Sequence, residues 1–109
     1  MNYEIILTPQ FEKSVKALYK KYKLIKRDLI TLEKELTLNP KAGIELGNNY
    51  YKINLPNSSI PTGKSGGFRV IYYLYFKQSI YLLEIYSKSD LENISDSKIL
   101  EILKVNGLS

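Results

Sequence analysis

Apolar positions recur along this chain with two different periods, and the changes of period mark its elements. Tyr3 to Leu7, ending in Ile5-Ile6-Leu7, reads as a short buried strand. Thr8-Pro9 then has the chemistry of a helix start: a hydroxyl that accepts from a free amide, followed by proline where no helical bond is lost. Phe11, Val15, Leu18, Tyr19 and Tyr22 recur at helical spacing, with Lys13, Lys16, Lys20 and Lys21 on or beside the opposite face. After a break near Lys23 a second stripe, Ile25, Leu29, Leu32 and Leu36, runs to Asn39-Pro40, where the residue before proline avoids helical dihedrals. Two short amphipathic helices joined in this way predict a helical hairpin. Their lysines read as a solvated face that adds to a basic surface.

Gly43 to Asn49 reads as a loop, and beyond it the period falls to two. Three β segments follow, at 50–55, 68–76 and 80–86. Pro56 to Gly67 is a long polar connection, and Lys77-Gln78-Ser79 a short hairpin turn. After Lys88 the chain turns polar; Ser95 or Asp96 caps a last helix through Ile99, Ile102 and Leu103, which ends at Asn106-Gly107. The expected architecture is a single α+β domain over residues 1–109. It has a twisted, mainly antiparallel four-stranded sheet, the helical hairpin on one face and a short C-terminal helix.

Side chains alternate faces along a strand, so the two faces can be read directly. Tyr51, Ile53 and Leu55, with Phe68, Val70, Tyr72 and Leu74 and with Tyr81, Leu83 and Ile85, form an apolar side that should pack on the hairpin. The other side gathers Lys52, Asn54, Arg69, Tyr73, Glu84 and Tyr86, with Lys88 just beyond. Cations and rings on one surface suit a single-stranded nucleic acid, charge meeting phosphate and rings meeting bases. The same residues also have a purely structural reading. Tyrosine is a good strand former, and Arg69 beside Glu84 makes a cross-strand ion pair. Alternation alone leaves both readings open.

Composition narrows the chemistry. The 109 residues are 44% hydrophobic, enough for one packed core. There is no histidine and no cysteine, which excludes thiol chemistry, a histidine base and a Cys/His zinc site. Catalysis would have to run on Lys, Arg, Tyr, Ser and carboxylates, and no cofactor or metal is expected. The net charge of +5 is uneven: Lys52 to Lys88 holds five basic residues against Glu84, while Asp90, Glu92, Asp96 and Glu101 outnumber Lys98 and Lys104 later. Such a charge favours an anionic partner, nucleic acid or an acidic protein segment, although it also serves plain solubility. No apolar run is long enough to span a bilayer and the first residues lack a signal-peptide pattern, so a cytoplasmic location without membrane association is the expectation.

Two strings sharpen this. Gly63-Lys64-Ser65-Gly66-Gly67-Phe68-Arg69-Val70-Ile71-Tyr72-Tyr73, followed by Leu82-Leu83-Glu84-Ile85-Tyr86-Ser87-Lys88-Ser89-Asp90, resembles the RelE/ParE toxins, particularly their HigB-like branch. The order of elements is similar over nearly the whole chain, including Leu36-x-x-Asn39-Pro40. The resemblance implies a RelE-like fold and a type II toxin–antitoxin system. In it a metal-independent endoribonuclease cuts mRNA on the ribosome, restrained by a cognate antitoxin from a neighbouring gene and reaching operator DNA only through it. It further implies that Arg69 stabilises phosphate charge and that Lys52 holds the RNA backbone and moves a proton. Tyr86 would stack a base or act as acid and Lys88 contact phosphate, with Lys64, Asn54 and Tyr73 completing the RNA surface. The RelE branch carries a lysine, an arginine and a tyrosine where this chain has Asn54, Ser89 and Ser95, which shifts the implied active group to Tyr86 and Lys88. Two rivals share the fold: a ParE-like inhibitor of DNA gyrase, and an inactive relative kept for antitoxin binding.

Overall fold

Thr8 ties the first strand to the first helix. In the computed structural model, which describes residues 3–61, 67–75, 78–90 and 94–107, β1 (Glu4–Leu7) passes through Thr8 into α1 (Pro9–Tyr19). The buried Thr8 hydroxyl accepts from the Phe11 amide at 3.2 Å and donates to the Leu82 carbonyl at 2.8 Å. One side chain thus caps the helix and pins its start to the sheet. α2 (Ile25–Leu38) returns along α1 and buries Ile25, Leu32 and Leu36. Asn39 ends it in extended backbone before Pro40, as its position before proline requires.

The sheet has five strands in the order β1-β5-β4-β3-β2, formed by β2 (Ile44–Gly47), β3 (Tyr50–Leu55), β4 (Phe68–Tyr75) and β5 (Ser79–Ser87) with β1. β1 runs parallel to β5 and the other pairs are antiparallel. The four expected strands are present, and the fifth lies in the stretch read as a loop. β2 pairs with β3 through a two-residue turn in which Asn48 and Asn49 have φ of 51° and 67°. Two successive left-handed residues make the turn whose twist matches a hairpin, and asparagine tolerates that conformation. β2 is an edge strand with Ile44 and Glu45 exposed, so it carries no apolar alternation to betray it.

Two cores follow. Beneath the sheet, the hairpin packs Phe11, Ile25, Leu32 and Leu36 against Tyr51, Ile53, Phe68, Val70 and Tyr72, the apolar side that alternation assigned to it. Above the sheet lies a second core, where α3 (Asp96–Val105), capped by Ser95, covers Tyr50, Ile71, Leu83 and Tyr86 with Ile99, Ile102 and Leu103. The second face is therefore polar over only part of its width. A bulge in β5 adds a further change: Ile71 pairs with Glu84 and Tyr72 with Leu82, leaving Leu83 as the extra residue. β5 consequently turns Leu83 towards α3 and the Glu84 carboxylate towards α1.

Tyr72 links sheet and hairpin from within the lower core. Fully buried and stacked on Tyr51, with ring centroids 5.1 Å apart, it donates to the Pro40 carbonyl at 2.7 Å and accepts from the Gly43 amide at 3.0 Å. Burial pushes its phenol up to about 12. Because the folded state holds this proton more tightly than the unfolded chain, its stabilising contribution is complete below the ordinary phenol range near 10.0 and is lost as pH rises through about 12. Tyr72→Phe leaves the Pro40 carbonyl and the Gly43 amide without this partner and is expected to cost about 1–3 kcal/mol. Chemical denaturation of both proteins at neutral and strongly alkaline pH checks this, since the difference between them should shrink at alkaline pH.

Candidate functional site

Arg69 sits near the start of β4, between Asn54 on β3 and Tyr86 on β5. All three belong to the upper face, and the pleat fixes that placement. Arg69 is partly exposed, and its Nε donates to the Asn54 Oδ1 at 3.4 Å. Lys52 lies two residues from Asn54 on the same side of β3 and is also partly exposed. Lys52, Asn54 and Arg69 line one open cavity of about 460 Å³, together with Thr31 and Glu35 of α2. Its size is within the range of small-ligand sites. Gly43 allows the chain to approach there: a Cβ at this residue would stand 2.5 Å from the Lys52 carbonyl oxygen.

Tyr86 lies in a second cavity of about 280 Å³, which it shares with Lys52, Ile71 and, from α3, Asp96 and Ile99. Only 8% of Tyr86 is exposed, because α3 packs on its ring. As a platform for a stacked base Tyr86 is thus covered in this conformation. Its hydroxyl edge and the Lys52 ammonium still belong to one pocket.

The remaining expected residues divide. Lys88 follows β5 and is held at the same end of the sheet as Arg69, its amide donating to the Gly67 carbonyl at 3.0 Å. Tyr73 is elsewhere. It stands four residues along β4 from Arg69, about 13 Å at the rise of a strand, in a ring cluster with Tyr75 and Tyr81 at 6.2 and 6.5 Å. Lys64 lies outside the described residues, as does most of the glycine-rich string.

Glu84 corrects the reading from alternation. Its carboxylate accepts from Gln10 Nε2 at 2.9 Å, from the Ser14 hydroxyl and from the Ile85 amide at 2.9 Å. The bulge at Leu83 breaks the count of two and turns Glu84 to α1, on the opposite side from Arg69. Glu84 anchors the helix and takes no part in the cationic surface. Conversely, Thr31 and Glu35 were missed. They occupy solvent-facing positions of an amphipathic helix, and no local pattern announces that the edge of β3 comes up beside them.

Chemically, a guanidinium, an ammonium and an amide on one cavity wall suit an anion with several oxygens, such as a phosphodiester. Among the described residues no cluster of carboxylates gathers that would hold a metal ion, and no helix is long and apolar enough to cross a membrane.

No family model matches the chain. Its fold, however, is that of solved toxin structures. The isolated RelE toxin of E. coli superposes with a TM-score of 0.58 at 16% identity, covering 94% of this chain and 98% of that one. RelE in the archaeal RelE–RelB complex of Pyrococcus horikoshii OT3 gives 0.52 at 18% identity, covering 81% and 97%. The intact E. coli RelBE toxin–antitoxin complex gives 0.55 at 16%, covering 76% and 93%. The chain therefore has a RelE-like fold, with the five-stranded mixed sheet described above.

Proposed function

We propose that this chain is the toxin of a type II toxin–antitoxin pair, HigB-like in its motifs, and that it arrests translation by cutting mRNA on the ribosome. The observation that carries the reading is the grouping of Lys52, Asn54 and Arg69 around one open cavity on the upper face of the sheet. The RelE-like fold supports it, and the similar structures that hold RelE with RelB favour a cognate antitoxin as partner.

The reaction is transfer within the RNA. A ribose 2′-oxygen attacks the adjacent phosphorus, the bond to the 5′-oxygen breaks, and the products are a 2′,3′-cyclic phosphate and a free 5′-hydroxyl. The chain must supply positive charge to the pentacoordinate phosphorane, a group to take the 2′ proton and a proton for the departing oxygen. Arg69 offers a planar fork of donors to the phosphate oxygens, and Lys52 beside it would take the 2′ proton on its amine and then add a second positive charge. Tyr86 shares the smaller cavity with Lys52 and would donate to the 5′-oxygen, and Lys88 would hold the backbone at the Gly67 end.

Brief induced expression tests the reading. Protein synthesis is expected to fall at once while plasmid supercoiling stays normal. Relaxed or broken DNA with intact translation would instead favour the gyrase reading, and no growth effect would favour an inactive, antitoxin-binding relative.

A further inference from the structure

The larger cavity has an asymmetry that phosphate binding does not use. Lys52 and Arg69 come to it from the sheet and Thr31 and Glu35 from α2, and Lys52 to Leu55 of β3 line it as well. The edge of β3 is open there. β2 begins at Ile44, opposite Lys52, so among the described residues no strand pairs with Asn54 on its outer side. The Lys52 carbonyl points outwards, close to Gly43, and backbone groups two residues apart point the same way. Asn54 therefore presents its own N–H and C=O at the open edge, inside the cavity.

We infer that this cavity is a base-recognition subsite for a nucleotide whose base carries an exocyclic amino group, and that Glu35 determines the preference. A phosphate meets Arg69 and Lys52, and the base lies along the open edge of β3, where the Asn54 donor and acceptor meet its polar edge. A carboxylate accepts from an amino group and is repelled by a carbonyl at the same place. Adenine, cytosine and guanine carry such an amine and uracil does not. Single-stranded RNA offers those edges unpaired. The inference rests on the proposed RNA reading for its biological substrate but not for its test.

The test is titration of the full chain with the four nucleoside 5′-monophosphates, by calorimetry or amide chemical shifts. Amino-bearing nucleotides are expected to bind at least about fivefold tighter than uridine monophosphate, the low end of what one good base contact distinguishes. Glu35→Gln should bring the four to within about twofold of one another, since its amide both donates and accepts. Glu33→Gln, on the exposed outer side of α2 and away from the cavity, should leave the preference as it was. Equal binding of uridine monophosphate, no binding of any nucleotide at millimolar concentration, or a preference that survives Glu35→Gln would overturn the inference. Cleavage assays separate it from the reading beneath it. Activity with no base preference refutes the subsite alone, whereas discriminating binding without cleavage refutes the nuclease and leaves the subsite.

Discussion

Replacing Arg69 by alanine lowers RNA cleavage by about 10²–10³, the usual loss when one preorganised donor to a developing charge is removed. The expectation follows from placement. Arg69 is held from two sides by strand pairing, with Asn54 on β3 and Tyr86 on β5, so its stem starts from rigid backbone. In the proposed reaction the negative charge of the phosphorane develops beside the guanidinium. Arg69→Lys keeps the charge but loses the planar fork and is expected to recover only part of the activity. Because Arg69 is partly exposed, neither variant should unfold the protein. Cleavage of a ribosome-bound message, with thermal unfolding measured alongside, checks both halves. Unchanged cleavage in Arg69→Ala would remove the residue from the mechanism.

The second large effect is on stability. A Cβ on Gly67 would lie 2.4 Å from the Leu55 carbonyl oxygen and 3.2 Å from the Pro56 Cα. Both are backbone atoms, at the last residue of β3 and just past it, and no flexible side chain is there to yield. Gly67→Ala must push β3 and β4 apart at their Leu55–Phe68 end, beside the fully buried Phe68. The expected cost is about 3 kcal/mol, the upper end for overpacking. Each kcal/mol lowers Tm by roughly 4–8 °C in a domain near this size. The same shift disturbs the Lys88 amide, which bonds to the Gly67 carbonyl. A Tm within about one such step of the wild type would show that the sheet end accommodates a side chain and that glycine is not required there.

How far the sequence was legible depended on whether a signal was local. Thr8-Pro9, the stripes of Phe11 to Leu36 and the turn at Asn39-Pro40 each encode an element with its own residues, and each element lies where its pattern placed it. The alternation of Phe68, Val70, Tyr72 and Leu74 put the right side of β4 against the hairpin. The failures have a common cause. β2 is an exposed edge of four residues that needs only a partner strand and an Asn48-Asn49 turn, so its composition resembles a loop. Glu84 was misplaced because one extra residue, Leu83, shifts the parity of β5, and nothing in the strand itself reports a bulge. The burial of Tyr86 depends on where α3 docks, and the nearness of Glu35 to Asn54 on how α2 crosses the sheet edge. Both are tertiary facts. Arg69 and Tyr86, by contrast, fall side by side on the upper face, where alternation put them, because they sit opposite each other on adjacent strands, with Lys88 just past the end of β5.

The proposed function requires RNA chemistry at the Lys52–Arg69 cavity. The most direct measurement maps the ends of a message translated in a purified system with the wild-type chain. Fragments ending in a 2′,3′-cyclic phosphate, matched by fragments starting with a 5′-hydroxyl and missing when Arg69→Ala replaces the wild type, are the predicted result. Intact messages under conditions where the protein still halts translation, or identical cuts from the Arg69→Ala protein, would contradict it.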